Sequence, residues 1–161
     1  MQCKRTVERN SKGSSTAEFG PALIVLLIFF FFPLVDLLSV CLSYGLCTVL
    51  NTNQLHEASL EPWQDAADPN GLVMKTIPNQ WSNGMGHFVK ASGPPQTVIT
   101  YRDGDKNSQD QVDKVIRLAT SVQCNPSIPL PLPIVNVPGL NGPFNITITA
   151  ERTMENPDYA Q

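Results

Sequence analysis

Several absences narrow the chemistry first. The 161 residues contain no Gly-rich phosphate loop, no pair of cysteines at zinc-ligand spacing and no nucleophile elbow. Sequence grounds for nucleotide hydrolysis, a zinc site or α/β-hydrolase chemistry are therefore missing. His56 and His87 stand without a third ligand beside them, and both read as solvated or hydrogen-bonded structural residues. Basic residues are few and concentrated. Lys4, Arg5, Arg9 and Lys12 against Glu8 give residues 1–13 a charge of +3, and with a whole-chain charge of -3 the remainder carries -6. A short basic leader on an acidic body is not the footprint of a nucleic-acid binder. No catalytic constellation stands out, so no enzymatic activity is expected.

Charge is scarcest between residues 19 and 50, where Asp36 is the one charged side chain. A hydrocarbon core of about 30 Å needs about 20 helical residues, so this run can span a bilayer and emerge on the far side. The stretch "LIVLLIFFFFPLVDLL" has no polar period, unlike an amphipathic surface helix. A cleaved signal peptide would have a shorter apolar core, about 7–15 residues, and a small-x-small cut site. A lipoprotein signal could end "LSVC" at Cys41, but Val40 stands where a small residue is wanted. A retained anchor fits best. Lys4, Arg5, Arg9 and Lys12 precede the run and Glu57, Glu61, Asp65 and Asp68 follow it. The positive-inside rule then puts the N-terminus in the cytoplasm and the body outside, as a single-pass protein of the cytoplasmic (inner) membrane in contact with lipid.

Glu18 needs an explanation, because a carboxylate near a bilayer core costs roughly 2.5–3.5 kcal/mol on insertion scales. The segment "KGSSTAEF" offers one: a basic leader ends at Gly13, then come Ser14, Ser15, Thr16, Ala17, Glu18 and Phe19, then the apolar run. This arrangement resembles the processing site of type IV pilin-like proteins, and is most similar to the TadE-like minor pilins of the tight-adherence (Tad/Flp) machinery. The resemblance covers about residues 9–60. It implies cutting by a prepilin peptidase between Gly13 and Ser14, with Glu18 as the fifth residue of the mature chain. It also implies a structural role in pilus assembly or secretion and in adhesion, with other pilin subunits and an inner-membrane assembly platform as partners. The new ammonium on Ser14 would meet the Glu18 of a neighbouring subunit, since burial makes an unpaired charge far costlier than a paired one. Glu18 and Phe19 are then assembly residues. The plainer alternative for Glu18 is a carboxylate facing cytoplasmic headgroups. Pro21 falls three residues after Glu18, nearer than is usual in that family, and Pro33 deep in the run is expected to kink or locally melt the helix.

Past the span, apolar spacing carries the helix to about Leu60, where Glu61-Pro62 stops it. Leu42, Leu46, Val49 and Leu50 would form one packing face. Residues 14–60 make a spine of roughly 70 Å at 1.5 Å per residue. Asp36 reads either as a partner-facing carboxylate or as an interfacial residue reaching headgroups or water. Cys41 and Cys47 fall on different faces and read as small apolar packers.

The body, residues 61–161, reads as α/β and, with 14 Pro and 10 Gly in the chain, loop-rich. A loop, a short helix near residues 79–90 and another loop come first. Strands follow at "QTVITYR" (96–102), "DKVIRLATSVQC" (113–124) and "FNITITAER" (144–152). Ile116, Leu118, Thr120, Val122 and Cys124 would share one face. Phe144, Ile146, Ile148 and Ala150 point inward, while Asn145, Thr147, Thr149 and Glu151 point outward. A Pro-rich loop, 125–143, joins the last two strands without adding a central one. The fold class is thus α+β, a long transmembrane helix with a small antiparallel sheet. Cys124, alone in the outer body, is expected to be a buried thiol with no internal disulfide partner there.

Asp103, Asp105, Asn107 and Asp110 in "DGDKNSQD" have the oxygen-ligand spacing of a calcium loop. Ser108 replaces the turn glycine and Lys114 the twelfth-position glutamate, which excludes an EF-hand in its usual form and leaves a solvated acidic turn as the main reading. No cofactor or metal is otherwise expected. Asn145 in "NIT" matches a glycosylation acceptor, but it sits on a strand pattern. Two functions remain: a processed pilin-like structural subunit, or a single-pass anchored binding or sensory module in which "KGSSTAE" is coincidence. Gly13 separates them, because only the first needs it.

Overall fold

The computed structural model describes residues 14–106, 112–128 and 136–155. Helical backbone runs from Ser14 to Leu60 without a break, as α1 (Ser14–Leu26), a π-helical turn (Leu27–Phe31) and α2 (Phe32–Leu60). The expected disruption at Pro33 takes the form of that π turn and not of a gap. Pro33 has no N–H, and its ring would press on the carbonyl four residues back. The backbone widens instead, and the Phe32 N–H reaches five residues back to the Leu27 carbonyl. The same device recurs at Leu72–Thr76, where Ile77 N–H bonds Leu72 O immediately before Pro78. α2 ends where expected: Glu61, held extended by the proline after it, has φ -84° and ψ 153°.

The buried face of α2 carries Asp36, Ser43, Cys47, Leu50, Asn51, Gln54, Leu55, Ala58 and Ser59. This corrects the expected face: Leu50 is on it and Leu46 flanks it, but Val49 and Leu42 are 40% and 53% exposed. An apolar count misses the true stripe because half of it is polar, with Asn51 and Gln54 finding partners on the sheet.

That sheet is a meander in the order β1-β2-β3, antiparallel throughout: β1 (Gln96–Lys106), β2 (Val112–Cys124) and β3 (Phe144–Thr153). Its register sets Ile99 against Leu118, Leu118 against Ala150 and Cys124 against Phe144, with an irregularity in β1 between Asp103 and Lys106. Ile116, Leu118, Thr120, Val122 and Cys124 are buried as the alternation predicts, and Ile146 and Ile148 with them. Asn145, Thr147, Thr149 and Glu151 face outward. Among the described residues of the 125–143 connection, pairing is limited to bridges and turns. Pro138 bridges Gly142, and Gly139 takes φ +86°, a left-handed conformation that glycine adopts at no steric cost.

Residues 62–78 depart from the loop expectation. A short α3 (Trp63–Ala66) follows Pro62, and the π turn leads into α4 (Ile77–Asn83). Pro62 and Pro78 look like breakers in sequence but sit at helix starts, where a missing N–H costs nothing. The helix expected near 79–90 begins two residues earlier and divides at Gly84 into α4 and a 3₁₀ turn, Met85–Val89.

Two apolar clusters lie between α2 and the sheet. One joins Cys47 and Leu50 to Trp81, Val89, Val122, Cys124, Ile146 and Ile148. The other joins Leu55 and Ala58 to Ala66, Val73, Ile116, Leu118 and Met154. Fully burying a side chain such as Leu50 or Ile116 stabilises by about 1.5–3 kcal/mol.

Candidate functional site

The first half of the helix is uncovered. Phe19, Leu23, Ile24, Val25, Leu26, Phe29, Phe30, Phe31 and Leu34 are 42–71% exposed. Covering such a face would gain about 1.5–3 kcal/mol for each large side chain taken out of water. Phe19–Leu60 is long and apolar enough to cross a membrane by length and composition, and 6% of its most apolar window is buried. A core helix of a soluble domain would be mostly buried there.

Where the cover begins is set by Asp36. Its side chain is fully buried, and one carboxylate oxygen accepts the Ile128 N–H at 2.9 Å. The other oxygen is buried without a partner among the described residues. One turn on, Ser39 Oγ and Ser127 Oγ share a hydrogen bond of 2.7 Å. A Cβ on Gly139 would come within 3.3 Å of Val40, so the return of the connection to β3 also rests on this turn. Asp36 is thus neither free for a partner nor open to headgroups, and both expectations for it are corrected. The stretch from residue 19 to residue 35 left uncovered is about 26 Å at 1.5 Å per residue, close to a hydrocarbon core.

Beyond this junction a polar layer fixes how α2 sits on the sheet. Asn51 Nδ2 donates to Leu118 O (3.3 Å), Thr120 Oγ1 (3.2 Å) and Ile148 O (3.1 Å). Thr120 Oγ1 donates to Gln54 Oε1 (2.8 Å), and Gln54 Nε2 donates to Val73 O (2.8 Å) and Thr97 Oγ1 (3.0 Å). Asn51, Gln54 and Thr120 are all fully buried. Buried polar groups need their partners in geometry, so this layer admits one rotation and one register of the helix. Asn51 and Gln54 carry no apolar signal and so escape a hydrophobic pattern. Their spacing with Cys47, Leu50 and Ala58 was the available signal.

Trp81 docks the short helices on α2: its Nε1 donates to Leu46 O at 3.0 Å, and Gly86 lies so close that a Cβ there would fall 2.5 Å from Trp81 Cε3. Cys47 and Cys124 are both buried unbonded thiols in the cluster around Trp81. The buried strand thiol expected of Cys124 is there, free of any disulfide, and Cys47 from the helix shares its cluster. Cys41 is exposed on the apolar helix.

Of the other sequence candidates, Gly13 lies outside the described residues, and Ser14 and Glu18 are in α1. Phe19 is 66% exposed. In the acidic cluster, Asp103 pairs with Lys114 and Asp105 is exposed at the end of β1, while Asn107 and Asp110 lie outside the described residues. Among the described residues no group of three His, Cys, Asp or Glu side chains could hold a metal ion. His56 Nδ1 pairs with Arg152 at 2.8 Å, and His87 is exposed at an open depression of about 770 Å³ that Ser82, Phe88 and Lys90 also line.

The arrangement is that of an α+β chain with a long, partly uncovered apolar helix carrying a three-stranded meander on its C-terminal half. No family model matches the chain, and no curated protein or solved structure matches it either.

Proposed function

We propose that this chain is a structural pilin-like subunit of the TadE-like kind, a minor pilin or pseudopilin of a tight-adherence pilus or secretion apparatus. The observation that carries the reading is the continuity of helix from Ser14 to Leu60, with a bare apolar first half and a sheet packed on the second. Prepilin peptidase removes residues 1–13, and the bare helix packs among other subunits and lipid at the inner-membrane platform. Glu18 answers the new ammonium of Ser14 on a neighbour, and Phe19 fills the surrounding apolar contact. The N-terminus is cytoplasmic, the sheet extracytoplasmic, and the role is assembly and not catalysis.

Intact mass and N-terminal sequencing of the protein from its native membrane, with and without the peptidase, test this. A chain beginning at Ser14 that reverts to Met1 without the peptidase supports processing. A chain beginning at Met1 in both overturns it. The second reading, an anchored binding module, draws on the depression beside His87 and Phe88. On that reading Gly13→Leu leaves the mass of the mature protein unchanged except for the substitution.

A further inference from the structure

Cys47 and Cys124 come from elements far apart in the chain, the middle of α2 and the last residue of β2. They are 1% and 0% exposed and belong to the same apolar cluster, walled by Leu50, Trp81, Val122 and Ile146. Both side chains lie in that one buried cluster, Cys47 from the helix and Cys124 from the strand, and Cys124 Sγ lies 3.8 Å from Val122 O. The position of Cys124 is held on two sides, by its pairing with Phe144 in β3 and by a bridge to Ala91. Cys47 lies about 12 Å along the helix past Ser39 at 1.5 Å per residue, beyond the junction and on the side of the sheet. Two free thiols buried in one cluster, between a helix and the central strand of a domain that on the reading above faces an oxidising compartment, can be joined by a covalent bond.

We infer that Cys47 and Cys124 are joined by a disulfide in the mature protein, stapling the helix to the central strand. The inference rests on the extracytoplasmic placement proposed above. The oxidant is a disulfide-bearing thiol oxidoreductase of that compartment. One cysteine thiolate attacks its S–S bond, forming a mixed disulfide and releasing one thiol. The second cysteine then attacks the mixed disulfide, closing the Cys47–Cys124 bond and releasing the other thiol. The pair loses two electrons and two protons, and the oxidant's disulfide becomes a dithiol. Because both sulfurs are buried once β2 docks, the exchange takes place during folding, and the finished bond is shielded from reductant. It closes a loop from residue 47 to residue 124, long enough for a large restriction of the unfolded chain.

The test uses the full-length protein in its native membrane with Cys3→Ser and Cys41→Ser, which leave Cys47 and Cys124 as the only natural thiols, and Asn83→Cys, an exposed reporter on the body. Intact cells or spheroplasts are treated with a membrane-impermeant maleimide. The protein is then denatured in alkylating agent without reductant and mapped by mass spectrometry. Reporter labelling from outside together with a Cys47–Cys124 linked peptide, 2 Da below the sum of its parts, is the expected result. Reduction should then lower the thermal midpoint in detergent by about 10 °C, as a staple of typical strength does in a small domain, but leave Cys47→Ala unchanged. Reporter labelling from outside with both cysteines alkylated overturns the staple and leaves the exported body standing. A reporter that labels only after permeabilisation overturns the exported orientation and the staple with it.

Discussion

The carboxylate of Asp36, in the helix, accepts a hydrogen bond from the backbone N–H of Ile128, just past the end of the central strand, at 2.9 Å. This contact and the Ser39–Ser127 pair tie the chain leaving β2 back to the point where the bare helix becomes a covered one. The junction between the uncovered helix and the body is therefore a built contact between distant segments and not a linker.

Asp36→Asn keeps an acceptor oxygen for Ile128, whereas Asp36→Leu leaves that amide without a partner. Losing a buried hydrogen bond to a charged group costs about 1.5–3 kcal/mol. Hydrogen exchange in detergent should show the Ile128 amide protected in the wild type and in Asp36→Asn, and at least tenfold less protected in Asp36→Leu. Equal protection in all three would remove Asp36 from the junction.

The polar layer should be intolerant of charge. Asn51→Ala removes a donor from three buried acceptors and should destabilise by about 2–3 kcal/mol. Asn51→Asp puts a carboxylate opposite the Leu118 and Ile148 carbonyls and should cost more at neutral pH. The burden should ease at acid pH, because desolvation raises the carboxyl pKa and the protonated form restores a donor. Urea denaturation of both variants at pH 4.5 and pH 7 checks the order.

Gln54 and Thr120 should behave as a pair. Gln54→Leu leaves Thr97, Thr120 and Val73 short of a partner, and Thr120→Val leaves the Gln54 carbonyl oxygen short. Each single change should cost about 1–3 kcal/mol, and the double variant less than the two together. Additive losses would show that the two side chains act independently.

Trp81 needs Gly86 against its ring. Gly86→Ala drives a methyl onto Trp81 Cε3, and overpacking of that kind costs typically about 1–3 kcal/mol. Trp81→Phe keeps most of the apolar contact but removes the Nε1 donor that reaches the Leu46 carbonyl. In Trp81→Phe the penalty of Gly86→Ala should shrink, because the smaller ring leaves room. Thermal midpoints of the four proteins measure this directly.

Two carboxylates should pull the pH dependence in opposite directions. Burial, then Asp65 and Glu57, push the Glu61 carboxyl above the ordinary carboxylate range. Its folded pKa exceeds the unfolded one, so its contribution is full below the unfolded pKa and is lost as pH rises through the folded value. The hydrogen bond from Arg102, Nε to Glu151 Oε2 at 3.0 Å, holds Glu151 below that range. Its contribution is present above the unfolded pKa and is lost as pH falls through the folded value. Glu61→Gln should therefore flatten the loss of stability on the neutral side of the carboxylate range, and Glu151→Gln the loss on the acid side. Glu151 lies at an exposed ion pair, so its effect should be the smaller and should fade with salt.

The strands were the most legible part of the sequence. "DKVIRLATSVQC" and "FNITITAER" alternate because one sheet face packs on a helix and the other meets water, and a period of two is visible without any knowledge of the partner. The helix was legible for a related reason: a long uncharged run has few other uses, and Glu61-Pro62 ends it sterically. The short helices around residues 63–83 were harder to read, since their prolines sit at helix starts, where they are tolerated, yet look like interruptions.

Amino-acid order alone determined the length and apolarity of the helix, its end at Leu60, the inward and outward residues of β2 and β3, and the acidic character of the chain after its basic first residues. These depend on local sterics and on a repeat of side-chain character, both of which are properties of neighbouring residues. The tertiary structure alone decided that Asp36 is buried under Ile128, that Asn51 and Gln54 face the core, and that Cys47 meets Cys124. Each of these is a meeting of residues far apart in the chain, and its energy exists only once both partners have lost water and found each other. A lone Asn, Cys or Asp carries no mark of which distant group will satisfy it.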